Sequence, residues 1–441
     1  MSKLEKEIAD IQKFQPFLQS FLLNRSMHIV IIGGGASGFM AAITAADHFP
    51  EAHITIIEKN KTVLNKVRVS GGGRCNVTHS PADLKSFPKQ YPRGEKFLRK
   101  LFSQFDAKDT VKWFERHGVS LKTEEDGRMF PVTDSSQTIT ECLTRMARSR
   151  GINIRTSTAV ISFQYSRLDG DSLFEISTLD GERLIANRLL IAAGGHPKAS
   201  GFDWITGHGH TIAEPIPSLF TFNSPDNPLL ELAGVSVKNC EVKIIGSKLA
   251  YKGPLLITHW GFSGPAVLKL SAWGARYLSD LGYRFVCKIN WLPEHQEQTL
   301  RDAFITEKKI APKQQIASHA KWGIPSRLWK AFCQEAEISD TLRWGDVSNK
   351  AMNRLVEMLT NSQYDISGKT TFKEEFVTCG GINLNEVNPT TLESLLLPGL
   401  FFSGEVLNID GITGGFNFQN AWTTGNIAGK NIGAPPTSTL S

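Results

Sequence analysis

The residues in this 441-residue chain best suited to chemistry are three glycines and a carboxylate at fixed spacing. Gly33, Gly35 and Gly38 fit the pattern G-x-G-x-x-G, and Glu58 follows twenty residues after the last of them. In that pattern the first glycine makes a tight turn, the second lets backbone lie against a pyrophosphate, and the third lets a helix pack closely on a strand. Amides at Ala36, Ser37 and beyond, at the positive end of a helix, would hold the phosphates. Glu58 would accept hydrogen bonds from ribose hydroxyls and repel a 2′-phosphate, which leaves FAD or NAD for this stretch. A glycine-rich turn that binds nothing is the competing reading. Against it stand the flanks: an apolar run from His28 to Ile32, an Ala-rich helix from Phe39 to Phe49, and a second strand from His53 to Ile57.

Further along, Ser70-Gly71-Gly72-Gly73-Arg74-Cys75-Asn76 reads as a loop whose backbone can approach a ligand, with Arg74 and Asn76 as donors for a phosphate or a flavin ring edge. Cys75 could be a redox thiol or a covalent flavin attachment point, though a small buried residue is the plainer reading. Asn187 to Ala192 reads as a buried strand entering Ala193-Gly194-Gly195. Near the C-terminus, Leu400 to Ser403 leads into Gly404 and Glu405. The run from Asp410 through Gly414, Gly415, Phe416, Asn417, Phe418 and Gln419 then opens a small-residue helix to about Ile432, a second strand–glycine–helix corner. Between the corners, His259 beside Trp260, in a glycine-rich stretch from Gly253 to Pro265, is the candidate for substrate contact. A core or capping histidine competes with it.

Several elements must position these groups. Residues 94–118 read as two packed helices, Gln137 to Arg150 as a helix, and Ile152 to Ala186 as a small antiparallel meander whose first segment returns beside the strand ending at Glu58. From His196 the character changes to short strands, suggesting a β-barrel or sandwich. Within it Ser263 would cap a helix from about Pro265 to Leu281. Residues 293–361 read as helical and basic, most simply a solvated face. The expected organisation is a discontinuous α/β domain from residues 27–195 and 370–433, an inserted domain at 196–369, an amphipathic extension at 1–26 and a disordered tail at 434–441.

The net charge of +6 permits a basic patch without demanding a nucleic-acid partner, and 41% hydrophobic with 21% charged residues is ordinary for a soluble protein. Six scattered cysteines without a C-x-x-C pair or metal-ligand spacing fit reduced thiols in the cytoplasm and no metal site. The acidic residues and short apolar face of the first 26 residues argue against a signal peptide or membrane span.

Taken together, the glycine corner with Glu58, the S-G-G-G-R-C-N run at 70–76, Ala193 to Gly195, Thr258 to Pro265, and the D-G-x-T-G-G-F-N-x-Q run at 410–419 resemble one family along nearly the whole chain. It is that of the bacterial aminoacetone-oxidase-like or BaiN-like NAD(P)/FAD-dependent oxidoreductases. The resemblance implies a Rossmann-like FAD-binding domain of glutathione-reductase type, with an inserted β-barrel carrying a helical bundle. It places the pyrophosphate at Gly33 to Gly38, the adenosine ribose at Glu58 beside Lys59, and the adenine at the Val160 backbone. The flavin side falls along Lys66 and Ser70 to Asn76, the ribitol at Glu405, and the pyrimidine end at Gly415 to Asn417. Leu64 stands where a glycine is common in that family, Arg68 where an aliphatic residue is usual, and Asn408 where an acidic residue is common. The expected function is hydride transfer between a small organic substrate and FAD, with NAD(P)H as a transient reductant or oxygen as second redox partner. An RNA-associated flavoprotein of nucleoside modification is the alternative, and catalytic residues and oligomeric state stay open.

Overall fold

The computed structural model describes residues 27–80, 85–168, 171–370 and 377–434; the expectations for the 1–26 extension and for the tail beyond Ala434 lie outside the described residues. Strand β1 (His28–Ile32) enters α1 (Ala36–His48), β2 (His53–Ile57) and α2 (Asn65–Gly73). Helices α3 (Glu95–Phe102), α4 (Ala107–Arg116) and α5 (Ser136–Ser149) follow, then β3 (Asn153–Arg155). An antiparallel meander of β4 (Val160–Leu168), β5 (Asp171–Thr178) and β6 (Arg183–Ala186) leads into β7 (Arg188–Ile191).

The next stretch contributes β8 (Ile212–Ser218), β9 (Thr221–Asn223), β10 (Ser236–Ile244), β11 (Ala250–Thr258) and β12 (Gly261–Ser263). After them come α6 (Pro265–Trp273), α7 (Ala275–Asp280), β13 (Arg284–Asn290), α8 (Glu297–Ile310), α9 (Ser326–Glu335) and α10 (Asn349–Asn361). The chain closes with β14 (Ser362–Ser367), β15 (Lys369–Thr370), β16 (Val377–Ile382), β17 (Leu400–Phe402) and α11 (Phe416–Asn431).

The glycine corner belongs to a parallel sheet. Its order is β17-β7-β1-β2-β3, with β1 in register with β2 (Ile31 opposite Ile56) and with β7 (Ile31 opposite Leu190). Because helices cover both faces of such a sheet, its strands are apolar without alternation, and Val30, Ile31, Ile56, Leu189, Leu190 and Phe402 are buried. Strand β17 comes from more than two hundred residues after β7, so the C-terminal corner completes the sheet begun at the N-terminus.

The second sheet is antiparallel, in the order β14-β13-β10-β11-β12-β9-β15. Its edge strands β14 and β15 are joined by Gly368 alone, so the sheet must curl round and close as a barrel. Its core, with Val242, Ile257 and Phe262, is continuous with that of the helices around Trp291, Trp329 and Trp344. A separate core lies under the parallel sheet. Each side chain of that size stabilises by roughly 1.5–3 kcal/mol when fully buried.

Three local expectations differ from what forms. Gly253 to Thr258 makes up the greater part of strand β11 and is not a loop: Gly253 and Pro254 are compatible with strand here, and Leu255 and Ile257 are buried. Gly264, at φ +89, and not Ser263, precedes the first turn of α6, and the expected single helix divides into α6 and α7 at Gly274. Ser70 to Gly73 falls within the helical segment α2, but with non-helical backbone at Ser70, Gly71 and Gly72.

Candidate functional site

The glycines of the β1–α1 corner have distinct physical reasons. Gly33 turns at φ +117, and a Cβ there would lie 2.2 Å from the Ala192 carbonyl oxygen. At Gly38 a Cβ would meet the Gly33 carbonyl oxygen at 2.0 Å. Gly35 has nothing within 4 Å of its Cβ position: that face opens onto a cavity. The requirement at 33 and 38 is set by the protein's own packing; at 35 the protein leaves space for something else.

The cavity encloses about 660 Å³, within the range of small-molecule and cofactor sites. At one end stands Glu58, whose Oε2 accepts from Gly34 N–H at 2.9 Å and whose Oε1 accepts from the Asn60 backbone N–H at 2.9 Å and its side-chain amide at 2.6 Å. A carboxylate has about four acceptor positions, so one remains for a hydroxyl. In the middle, Glu405 takes Lys66 Nζ at 2.6 Å and Thr378 N–H at 2.9 Å, beside Gly195, where a Cβ would collide with Thr378.

The far end is made by the β17–α11 corner. Gly414 and Gly415 have φ +131 and +93, and a Cβ at Gly415 would lie 2.5 Å from the Thr78 carbonyl. Asn76, with its amide oriented to suit both neighbours, accepts from Gly415 N–H at 3.0 Å and donates to the Thr78 carbonyl at 2.9 Å. Asn417 clasps Gly411 by two bonds of 2.9 Å, and His79 Nδ1 donates to the Gly414 carbonyl at 3.0 Å. Burial lowers the His79 pKa, more than the Gly414 bond raises it, so the ring is neutral near pH 7. These bonds fix the start of α11, whose first-turn residues Asn417 and Phe418 line the cavity. Helices α1 and α11 thus turn their N-termini into one cavity, a favourable field for negative charge at two points. They pack closely because Gly425 and Gly429 sit against the Ser37 and Ala41 carbonyls.

A further wall comes from the barrel side: Leu219, Leu256, Ser263, Gly264 and Leu268, with Val377 of β16. Arg128 also faces the cavity, held by Asp126 at 2.7 Å and Glu124 at 3.0 Å.

Among residues singled out from sequence, Gly33, Gly35, Ala36, Ser37, Glu58, Lys59, Lys66, Ser70, Gly71, Asn76, Ala193, Gly194, Gly195, Glu405, Gly414, Gly415, Asn417 and Phe418 all line this cavity. Others stand behind it. Gly38 packs on Gly33, and Gly404 N–H donates to Thr424 Oγ1, 2.9 Å away. The Gln419 amide is used by Thr78 and Thr423, Phe416 stacks on His79, and Asp410 is buried against Arg93 and Ser218. Arg74 lies over Phe130 and pairs with Glu124, away from the lining, as are Gly72, Gly73 and Val160.

Burial pushes the Cys75 thiol up to about 12, which leaves it without the thiolate a redox or attachment role requires. His259 is exposed at the hairpin between β11 and β12 and does not line the cavity. Leu64, where the resembling family favours glycine, stands at φ +62 with its side chain buried in the wall.

Sequence reasoning passed over Arg128, Leu219, Leu268 and Asn420. The apolar ones look like any core residue. Asn420 is 2% exposed, lines the cavity, and its amide oxygen has no partner among the described residues, a signal visible only in three dimensions.

A parallel sheet with a glycine corner, a ribose-type carboxylate and two helix N-termini on one cavity defines the class: an α/β flavoprotein oxidoreductase with a Rossmann-like FAD-binding domain. The family described as HI0933-like protein Rossmann domain matches residues 27–431, and the chain belongs to that family. It is 29% identical over 410 residues to a 3-dehydro-bile acid delta(4,6)-reductase of Clostridium scindens, covering 91% of this chain and 98% of the relative. It is also 29% identical over 413 residues to a ribosomal RNA dihydrouridine synthase of Escherichia coli, covering 90% and 95%. Among solved structures, a 3-ketosteroid-delta4-(5alpha)-dehydrogenase of Rhodococcus jostii aligns at a TM-score of 0.48 with 13% identity, over 92% of this chain and 96% of that one. Among the described residues, no helix is long and apolar enough to cross a membrane, and no group of three or more His, Cys, Asp or Glu could hold a metal ion.

Proposed function

We propose that this protein is an FAD-dependent reductase of carbon–carbon double bonds conjugated to a carbonyl, with FAD spanning the cavity from Glu58 to α11. The observation that carries the reading is that one cavity is lined both by a polar, backbone-built wall from Gly33 to Glu405 and Gly415 and by a mainly apolar wall from the barrel side. When bound, FAD supplies two-electron hydride chemistry. The chain's own groups bind and tune: Glu58 takes the adenosine ribose, the amides opening α1 take the pyrophosphate, and Glu405 with Asn420 takes the ribityl hydroxyls. The N-terminus of α11 stabilises negative charge at the pyrimidine edge. In this reading residues 27–195 and 370–433 form the FAD-binding domain, and the 196–369 insert supplies the lid over the flavin face.

The choice of reaction rests on what the relatives' names share. A Δ4,6-reductase of a 3-dehydro steroid and a dihydrouridine synthase both saturate a double bond conjugated to a carbonyl. Arg128, a cation in the cavity lining, is suited to the oxygen on which charge develops. NAD(P)H would bind transiently as reductant.

A second reading, reduction of a uridine in RNA, is favoured by an open groove along α2 and α5. Its lining carries three arginines, Arg68, Arg145 and Arg148, against one carboxylate, Glu141. Anaerobic mixing of the photoreduced, FAD-loaded protein with cyclic enones and with uridine-containing RNA decides between them: reoxidation of the flavin by enones alone supports the first, by RNA alone the second. A protein that gives no flavin spectrum with added FAD overturns both.

A further inference from the structure

Arg93 lies outside the cavity, yet every group it holds stands close to a residue that lines it. Its Nε donates to Asp410 Oδ1 at 2.5 Å and its Nη2 to Asp410 Oδ2. Nη1 donates to the Ala272 carbonyl at 2.6 Å, and Nη2 also reaches Ser218 Oγ at 3.4 Å. Ser218 Oγ in turn donates to Asp410 Oδ2 at 2.7 Å, and the Asp410 carboxylate is fully buried.

The three anchors belong to different parts of the wall. Asp410 begins the loop whose Ile412, Thr413, Gly414 and Gly415 line the flavin-side end. Ser218 ends β8 and precedes Leu219 of the barrel-side wall. Ala272 is one turn along α6 from Leu268, also of that wall. A planar guanidinium with five donors in fixed directions can hold these three acceptors at one mutual geometry, which an ammonium cannot.

We propose that Arg93 is a positioning residue that sets the register of the barrel-side wall, through α6 and β8, on the loop from Gly411 to Gly415. The proposal rests on the flavin reading only for its spectroscopic consequence; the coupling itself belongs to the protein alone. A purely stabilising ion pair would require only Asp410 and a cation. The additional bonds to Ala272 and Ser218 join the two walls, and each wall residue concerned is within five positions of an anchor. Misplacement of such a wall by on the order of 1 Å costs about 100-fold in the rate of a reaction that needs both walls.

The test uses the full-length protein and two variants, Arg93→Lys, which keeps the charge, and Ser218→Ala, which removes one anchor and no charge. Amide hydrogen exchange is followed at the Leu268 N–H, bonded to the Gly264 carbonyl, and the Ile412 N–H, bonded to the Gln90 carbonyl. Faster exchange at both together in either variant, by about ten-fold, with α1 and the parallel sheet still protected, supports the coupling. In the FAD-loaded protein the same variants should shift the flavin absorption band and raise quenching of its fluorescence by iodide about three-fold.

If Arg93→Lys does not fold, Ser218→Ala decides the matter. Exchange at only one of the two amides, or wild-type exchange in whichever variant folds, overturns the proposal. If the variants show the coupled exchange but the wild-type protein takes up no FAD, Arg93 stands as a coupling residue and the flavin reading is overturned instead.

Discussion

The two walls of the cavity are built by opposite means. One is backbone: glycines at 33, 35, 195, 414 and 415, the amides of two helix N-termini, and carboxylates fixed by backbone N–H groups. The other is mostly side chain: Leu219, Leu256, Leu268 and Val377, beside Ser263 and Gly264, on the barrel side and its neighbouring strand. Backbone can meet a ligand only where the residue type permits the approach, so the first wall is constrained almost position by position. Apolar side chains can be exchanged for others of similar volume at modest cost, so the second wall is free to vary with what it must fit. On the proposed reading, the difference separates affinity for FAD, held by the backbone wall, from selection of a substrate, left to the side-chain wall.

The sharpest way to break that contrast is within one glycine motif. Gly35→Ala places its Cβ in the cavity and against no protein atom. Folding stability is expected to stay within about 1 kcal/mol of wild type, by thermal or denaturant unfolding of the ligand-free protein, since only the glycine-to-alanine backbone term changes. FAD affinity, read by fluorescence titration, should fall by about 100-fold or more, the loss of close approach to the pyrophosphate. Gly38→Ala is expected to do the reverse: its Cβ would lie 2.0 Å from the Gly33 carbonyl oxygen, and overpacking of that kind costs about 1–3 kcal/mol of stability. Equal loss of stability in both variants would remove the distinction between a glycine kept for the ligand and one kept for the fold.

The same contrast explains what sequence could reveal. Gly33, Gly35, Gly38 and Glu58 were legible because each role excludes nearly every other residue type, and periodicity carried the parallel sheet with its flanking helices. The C-terminal corner was legible too, since β17 and α11 repeat the strand–glycine–helix pattern of β1 and α1. What failed was inference from local chemistry alone. His259 attracted notice beside Trp260, but the hairpin between β11 and β12 carries it to the surface. Asp410 and Gln419 sit inside the most specific motif, yet they support the wall from behind, because the loop turns their side chains to Arg93 and to Thr78. Gly253 and Pro254 suggested a loop, although the hydrogen bonds of β11 to β10 and β12 override that local preference. Leu219 and Leu268 carried no signal, since a leucine facing a cavity and one facing a core have the same sequence pattern.

On the apolar wall, Leu268→Ala is the corresponding probe. It removes part of a half-buried side chain from the cavity and leaves every bond of the glycine corners in place. FAD affinity is expected to change by less than about three-fold, whereas the relative kcat/KM for bulky against small enones should rise by about 10-fold or more, the scale of a few methylenes in an apolar pocket. A variant that lost FAD and kept its substrate ratio would assign the barrel side to the cofactor and undo the comparison.

The smallest expected effect tests how the backbone wall is held from behind. His79 donates to the Gly414 carbonyl and stacks on Phe416, with ring centroids 4.7 Å apart. Burial lowers its pKa below the ordinary 6.5, against the smaller opposing effect of the Gly414 bond. The sign follows: below 6.5 the unfolded chain takes up a proton that the folded state resists, so stability falls as pH drops from 6.5 toward the folded-state value and is fully present above 6.5. His28 and His210 are lowered for the same reason and contribute in the same direction. His79→Phe keeps the stacking and removes both the titration and the donor. It should flatten the acid limb of a plot of Tm against pH without abolishing it, and lower stability at pH 7.5 by about 0.5–1.5 kcal/mol for the lost hydrogen bond. Because that bond orients the carbonyl at the start of α11, the FAD-loaded variant should also show a displaced flavin absorption band. An unchanged acid limb would mean that His79 titrates as it does in the unfolded chain, and an unchanged band that Asn76 and Asn417 hold the corner without it.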